Sequence, residues 1–261
     1  MARVSIITLT TDLGTKDFYL ASVKAKIIEQ VPSAKIIDIT NEIEPFNVVL
    51  GAFQLASAYR DFPNGSIHLF SIDTSLVSRR HLIAKKRDQY FIGPDNGAFS
   101  IAFPRGVDKV WEIIIDGDDS EMLTFPLKEL YIKLAAFIIT GGDISDICQE
   151  TNQIAQLVTL QPIQRGNIIQ GSVVYIDNYR NVFVNVSRDY FTEVGVGRPF
   201  KIHYRRKDFI DYTVEDYSQV PEGEVLALFG NSGYLEIAIN KDRAADLLGL
   251  QIGTPIQIEF I

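Results

Sequence analysis

The sequence predicts two domains of different class: an α/β N-terminal domain with a mostly parallel sheet over residues 1–160, and a smaller all-β, barrel-like C-terminal domain over residues 161–261. Three observations predict this. Up to about residue 150, short apolar runs alternate with helical patterns, as in a parallel sheet covered by helices. Beyond Leu160 short alternating runs follow one another with almost no helical pattern, as in a compact antiparallel domain. Between them, Gln161-Pro162-Ile163-Gln164-Arg165-Gly166 has the proline and glycine of a connection.

The elements follow in order. An apolar run from Val4 ends abruptly in Thr10-Thr11-Asp12-Leu13-Gly14, so a buried strand Ser5–Leu9 stops at a polar turn. Tyr19, Val23 and Ile27, with Lys24 and Lys26 between them, give the helix that follows. Further strands are expected at Lys35–Asp38, Ile67–Ile72, Tyr90–Gly93 and Lys109–Ile114. Phe46 to Phe62 reads as an amphipathic helix with Val49, Phe53, Leu55 and Ala56 inward, closed by Asp61-Phe62-Pro63-Asn64-Gly65. In the second domain strands are expected at Ile168–Ile176, Val182–Val186, Lys201–Tyr204, Glu224–Leu228, Tyr234–Ile239 and Thr254–Phe260, with one helix at Asp242–Leu250.

Composition narrows the function. A net charge of -8, with only short runs of Lys or Arg, argues against nucleic acid as a partner. The single cysteine, Cys148, excludes an internal disulfide and a Cys-based zinc site. The longest apolar stretch, Tyr131 to Thr140, is too short to span a membrane. The N-terminus enters a strand with no signal-peptide pattern, so a soluble cytoplasmic protein is expected.

Four groups of polar residues exceed what strands and turns require. They are Thr11-Asp12-Leu13-Gly14; Ile39-Thr40-Asn41-Glu42-Ile43-Glu44-Pro45-Phe46; Ile72-Asp73 through Arg79-Arg80, followed by Gly93-Pro94-Asp95-Asn96-Gly97; and Asp177-Asn178-Tyr179-Arg180-Asn181 together with Gly230-Asn231-Ser232-Gly233-Tyr234-Leu235-Glu236-Ile237-Ala238. A carboxylate at the C-terminal end of the first strand sits where α/β sheets bind ligands, which places Asp12 to accept hydrogen bonds from ligand hydroxyls. The other reading of Asp12 is a helix N-cap. Asp177 to Asn181 also reads as a hairpin turn, and Phe46 as helix core.

In this order the groups resemble the S-adenosylmethionine hydroxide adenosyltransferase family (DUF62), which shares its fold with halogenating enzymes acting on the same cofactor. The resemblance implies an α/β domain plus a β-barrel domain in a homotrimer, each ligand site lying between the N-domain of one subunit and the C-domain of its neighbour. It implies attack of water on C5′ of S-adenosylmethionine, giving adenosine and L-methionine, with no metal. Asp12 then grips the ribose hydroxyls, Phe46 lines the ribose and adenine pocket, Asp177 binds the methionine ammonium, and Asn181 faces the adenine. Asn231 and Ser232 fall near the methionine carboxylate. The sulfonium is already a good leaving group, so the demand on the protein is to orient and partly deprotonate one water.

The chain departs from the family where water is activated. Of the family's Asp-Arg-His set, Asp73 and Arg80 keep identity and spacing, but the glycines and proline of the loop between them are replaced by Thr74-Ser75-Leu76-Val77-Ser78. Glycine tolerates backbone conformations that Ser75 and Val77 do not. The family histidine falls on Pro126, in Thr124-Phe125-Pro126-Leu127-Lys128-Glu129, and a second family histidine on Asn41. Of the remaining histidines, His68 reads as packing, His81 lies next to Arg80, and His203 reads as a solvated strand face. Leu127 in place of a serine disfavours halogenation. A hydrolase with an altered catalytic set is therefore expected, the alternative being a catalytically impaired protein that binds S-adenosylmethionine or adenosine.

Overall fold

The computed structural model describes residues 5–74, 80–115, 124–157 and 161–261. Contacts divide the chain into two units, Met1–Leu157 and Val158–Ile261.

In the first unit the apolar runs form β1 (Ile6–Thr11), β2 (Lys35–Thr40), β3 (Ile67–Ser71), β4 (His81–Lys86), β5 (Gln89–Pro94), β6 (Lys109–Ile113) and β7 (Cys148–Thr151). They make one seven-stranded sheet in the order β2-β1-β3-β5-β4-β6-β7. β2, β1, β3 and β5 pair in parallel, whereas β4, β6 and β7 join by antiparallel pairings. The sheet is therefore mostly parallel in strand direction, with an antiparallel edge. Side chains alternate between two cores: Ile7, Leu9, Ile67, Leu69 and Ile92 face one, and Phe70, Ile72, Leu82, Ala84 and Phe91 the other.

α1 (Phe18–Gln30) covers the first face through Leu20, Val23 and Ile27, and α2 (Val48–Ala58) covers the second. The inward residue of the first turn of α1 is Leu20, not Tyr19, which is 44% exposed. α2 starts after Asn47, whose side chain accepts the Leu50 N–H, and Val49 is only half-buried. A short helix α3 (Ala98–Ala102) follows β5. A π-helical turn at Leu127–Tyr131 runs directly into α4 (Ile132–Ile139).

β4 was not expected from sequence. It pairs with β5 across Arg87 and Asp88, both with positive φ (50° and 63°). Those are the backbone signs of a two-residue hairpin turn normally signalled by Asn or Gly. Here tertiary bonds hold the non-glycine pair: Arg87 N–H donates to the Asp108 carboxylate at 2.9 Å, and Gly65 N–H to the Asp88 carbonyl at 2.7 Å.

In the second unit β8 (Ile163–Arg165), β9 (Ile168–Ile176), β10 (Val182–Ser187), β11 (Phe200–His203), β12 (Phe209–Ile210), β13 (Val225–Phe229), β14 (Tyr234–Ile239) and β15 (Pro255–Phe260) form one sheet. The order is β12-β11-β15-β9-β10-β14-β13, with β8 beside β9, and every ladder is antiparallel. The bridge Val214↔Leu228 brings the chain beyond β12 back to β13, which nearly closes a barrel. Its core is mainly aliphatic, built on Ile169, Val184, Ile202, Leu235, Ile237 and Ile258, with Phe229 and Phe260 beside them.

Two helical expectations change here. α5 (Arg188–Gly195) follows β10 directly, started by the Ser187 hydroxyl accepting the Tyr190 N–H. The helix expected at Asp242–Leu250 is the short α6 (Ala244–Leu247).

Candidate functional site

The first unit reverses its strand order at β1. β2 lies on one side of β1 and β3 on the other, with α1 and α2 on opposite faces. Such a switch point leaves a crevice at the carboxyl ends of the two strands, where open α/β sheets bind ligands. β1 ends in Thr11-Asp12 and β3 leads into Ile72-Asp73, in register through Thr11↔Ser71. Asp12 and Asp73 therefore stand just beyond the carboxyl ends of β1 and β3, one on each side of the switch point. Arg80 opens β4 at the same edge.

Asp12 is not a helix cap. α1 starts at Phe18 with Asp17 at its N-cap, and the Asp12 carboxylate instead accepts the Phe46 N–H at 2.9 Å. Phe46 is not helix core either: it has φ +68° and is 70% exposed. A bulky residue in that region is strained, so Asp12 fixes a backbone that would otherwise relax. Asn41, where the family has a histidine, is buried and stitches the two loops together. It accepts the Thr11 hydroxyl at 2.8 Å, and its carbonyl accepts the Gly14 N–H at 2.7 Å.

Asp73 also has positive φ, +46°. The Asn96 side chain donates to the Ile72 carbonyl at 2.9 Å, which ties the Pro94-Asp95-Asn96-Gly97 turn to this corner. Residues 75–79, including Ser75 and Val77, lie outside the described residues. The Arg80 guanidinium rests on two carboxylates, Asp95 at 3.1 Å and Glu112 at 3.0 Å. Asp95 is buried, and its other oxygen accepts the Ala155 N–H at 2.7 Å. Asp95 stands in the Gly93–Gly97 turn singled out from sequence, but with no role given to it there; Glu112 was not singled out, because its partner is distant along the chain.

No histidine takes the place of the missing one. Pro126 is buried at the head of the π-helical turn. His81 points into the core, its Nδ1 2.6 Å from the Tyr131 hydroxyl, and burial pushes its pKa down to about 4. His68 is bonded to Thr8 and Gln89 and stacked on Phe91, and burial likewise lowers its pKa to about 4. His203 is half-buried, 3.4 Å from Glu259, rather than solvated. Among the described residues no group of three or more His, Cys, Asp or Glu is placed to hold a metal ion.

In the second unit Asp177 and Asn181 close the β9–β10 hairpin. The Asp177 carboxylate accepts the Asn181 N–H at 2.7 Å and its Nδ2 at 3.3 Å. The same residues line a cavity of about 710 Å³, with Tyr179, Tyr217 and the segment from Ile239 to Arg243 on its other walls. The hairpin is thus both a turn and a cavity wall. Tyr179, 76% exposed at the rim, belongs to the group singled out from sequence but was given no role there, and Tyr217 was not singled out. Asn231 and Ser232 do not line this cavity. They sit in the Gly230–Gly233 turn before β14, where the Ser232 hydroxyl accepts the Tyr234 N–H, whereas β10 meets the far end of β14 through Val182↔Ile237.

Residues 7–148 match the SAM hydroxide adenosyltransferase N-terminal domain, and residues 171–257 match the C-terminal domain of the same family. The chain belongs to the SAM hydroxide adenosyltransferase family. It is 29% identical to a Methanocaldococcus jannaschii protein named (R)-S-adenosyl-L-methionine hydrolase, over 98% of this chain and 97% of that one. It is 27% identical to a Thermus thermophilus protein of the same name, over 95% and 97%. Among solved structures, an uncharacterized conserved protein from Thermotoga maritima matches with a TM-score of 0.81 and 29% identity, covering 97% of this chain and 99% of that one.

Proposed function

We propose that this protein hydrolyses S-adenosylmethionine to adenosine and L-methionine. The observation that carries this reading is the pair of carboxylates, Asp12 and Asp73, at the β1/β3 switch point of a chain that belongs to this family along nearly its whole length. Relatives of matching length are named for this hydrolysis.

In this reading Asp12 holds the ribose hydroxyls while fixing Phe46 against the sugar. Asp73, with Arg80 nearby on the same edge, orients a water in line with C5′. The oxygen of water forms the new bond to C5′, the C5′–S bond breaks with its electron pair going to sulfur, and the proton leaves through Asp73 to solvent. Arg80, already paired to Asp95 and Glu112, adds little net positive charge. With Pro126 in place of a histidine, the base is a carboxylate, and slow turnover is expected. Asp177 takes the methionine ammonium and Asn181 the adenine, with Asn231 and Ser232 serving the methionine carboxylate.

The assembly in this reading is a homotrimer, each site shared between the α/β unit of one subunit and the β unit of its neighbour. Phe18, Phe46 and Tyr179 are each at least 70% exposed, rings that a neighbouring subunit would cover in this reading. The compartment is taken to be the cytoplasm; no helix among the described residues is long and apolar enough to cross a membrane.

The test is incubation with S-adenosylmethionine, supplied as both sulfonium epimers, with adenosine followed by chromatography and mass by light scattering. Adenosine release that disappears in Asp73→Ala, from a trimer, is the expected result. Saturable binding without adenosine would leave the impaired binding protein, which Pro126 and the engaged Arg80 favour.

A further inference from the structure

Glu236 stands in the middle of β14, 3% exposed, and its Oε1 accepts the Tyr217 hydroxyl at 2.5 Å. Burial and the nearby Asp177 raise its pKa, so the fold keeps a carboxyl here against its own preference for water. Tyr217 lines the cavity beside Asp177. Glu236 also reaches toward the other turn, since a side chain placed on Gly230 would meet its Oε2 at 3.6 Å. The pair therefore links the Asp177 hairpin to the Gly230–Gly233 turn across the length of β14.

The hydrogen-bond count gives this arrangement a chemical sense. A phenol has one proton to donate, and Tyr217 gives it to Glu236, so its oxygen can only accept from a ligand. Asp177 is also acceptor-only, and the two donors it accepts from, the N–H and Nδ2 of Asn181, are neutral. The cations on the cavity wall are engaged: Arg180 and Arg243 pair with Asp246, and Lys241 with Glu222. This end of the cavity is rich in acceptors and carries negative charge. It suits a ligand group that donates and is positive, and the Tyr217 ring face adds attraction for such a group.

We propose that Tyr217 contacts the ligand, that Glu236 is the positioning residue holding its phenol as an acceptor, and that with Asp177 they make this end of the cavity select an organic cation over a neutral nucleoside. The proposal rests on the S-adenosylmethionine reading: that substrate carries an ammonium and a sulfonium, L-methionine keeps the ammonium, and adenosine has neither.

Calorimetry with S-adenosylmethionine, L-methionine and adenosine tests it on the full chain and two variants. Tyr217→Phe is expected to weaken S-adenosylmethionine and L-methionine about tenfold and adenosine less than about twofold. Glu236→Gln keeps an acceptor for the phenol but not its charge, and loses about threefold on the two cations alone. Equal losses for adenosine, or no loss for L-methionine, overturn the proposal. If Glu236→Gln does not fold, Tyr217→Phe decides alone. Wild-type protein that binds neither S-adenosylmethionine nor adenosine overturns the reading beneath it as well, whereas intact wild-type binding with unaffected variants overturns this proposal only.

Discussion

The two units present polar groups in opposite ways. At the edge of the α/β unit, Asp12, Asn41, Arg80 and Asp95 are bound to one another's loops, by Phe46 N–H, Thr11, Glu112 and Ala155 N–H. In the β unit, Asp177 and Tyr217 face a cavity whose wall cations are paired with other carboxylates, Arg180 and Arg243 sharing Asp246 and Lys241 pairing with Glu222. The first arrangement fixes geometry, as in-line attack on carbon requires; the second leaves acceptors open, as capture of a charged substrate requires. The difference teaches where the proposed reading can be split: substitution of Asp73 in the first unit should change turnover, and substitution of Asp177 in the second should change affinity.

The largest effect is expected at Asp73. Asp73→Asn should lower turnover about a thousandfold with binding changed less than about twofold. Asn tolerates the positive φ at this position, so a loss reports on chemistry rather than backbone. Calorimetry beside a product assay separates the two, and a parallel loss of affinity would break the comparison.

Acid is expected to act next, and on the α/β unit. His68 and His81 have pKa values of about 4 when folded, against about 6.5 in an unfolded chain. Their folded values are depressed, so their contribution is complete above pH 6.5, declines as pH falls through the window to 4, and is gone below it. Each is worth up to about 3 kcal/mol. Glu236 shifts the other way, so its contribution is complete at low pH and lost on raising pH through its folded value. Trp111, the chain's single tryptophan, lies in β6 and reports on the α/β unit. Urea melts followed by its fluorescence should lose stability from pH 6.5 to 4, and a flat profile would show the buried imidazoles to be uncoupled from folding.

The third effect belongs to the β unit. Asp177→Ala should weaken S-adenosylmethionine binding about thirtyfold, roughly 2 kcal/mol, through loss of a charged acceptor. Adenosine affinity should fall less, since its partner is assigned to Asn181. Equal losses would mean that the hairpin itself has collapsed.

Legibility from sequence followed the reach of each signal. β9 and β14 were read to the residue because strand alternation is local and both end in polar turns. β4 was missed because its turn uses Arg87 and Asp88 held by Asp108, not the Asn-Gly a reader looks for. α5 was missed because Ser187 ends a strand and caps a helix at once. Asp12 was placed correctly at a strand end, but its bond to Phe46, and that of Arg80 to Asp95 and Glu112, join distant segments. Glu236 stood in the Gly230–Ala238 segment singled out from sequence but without a role, and Tyr217 gave no local sign, since only the folding of the barrel brings them together.

The smallest effect sharpens the same contrast in the α/β unit. Replacing Arg87-Asp88 by Asn-Gly relieves two positive-φ residues but removes the Lys85–Asp88 contact. A net gain of about 0.5 kcal/mol by urea denaturation is expected. A loss would show that the side chains, not the turn backbone, hold β4 to β5.

The most direct test of the central claim is turnover of S-adenosylmethionine in oxygen-18 water, with mass spectrometry of the adenosine formed. The account predicts label at the 5′ oxygen of adenosine, in wild type and not in Asp73→Asn. Unlabelled adenosine, or bound S-adenosylmethionine recovered intact, would contradict it.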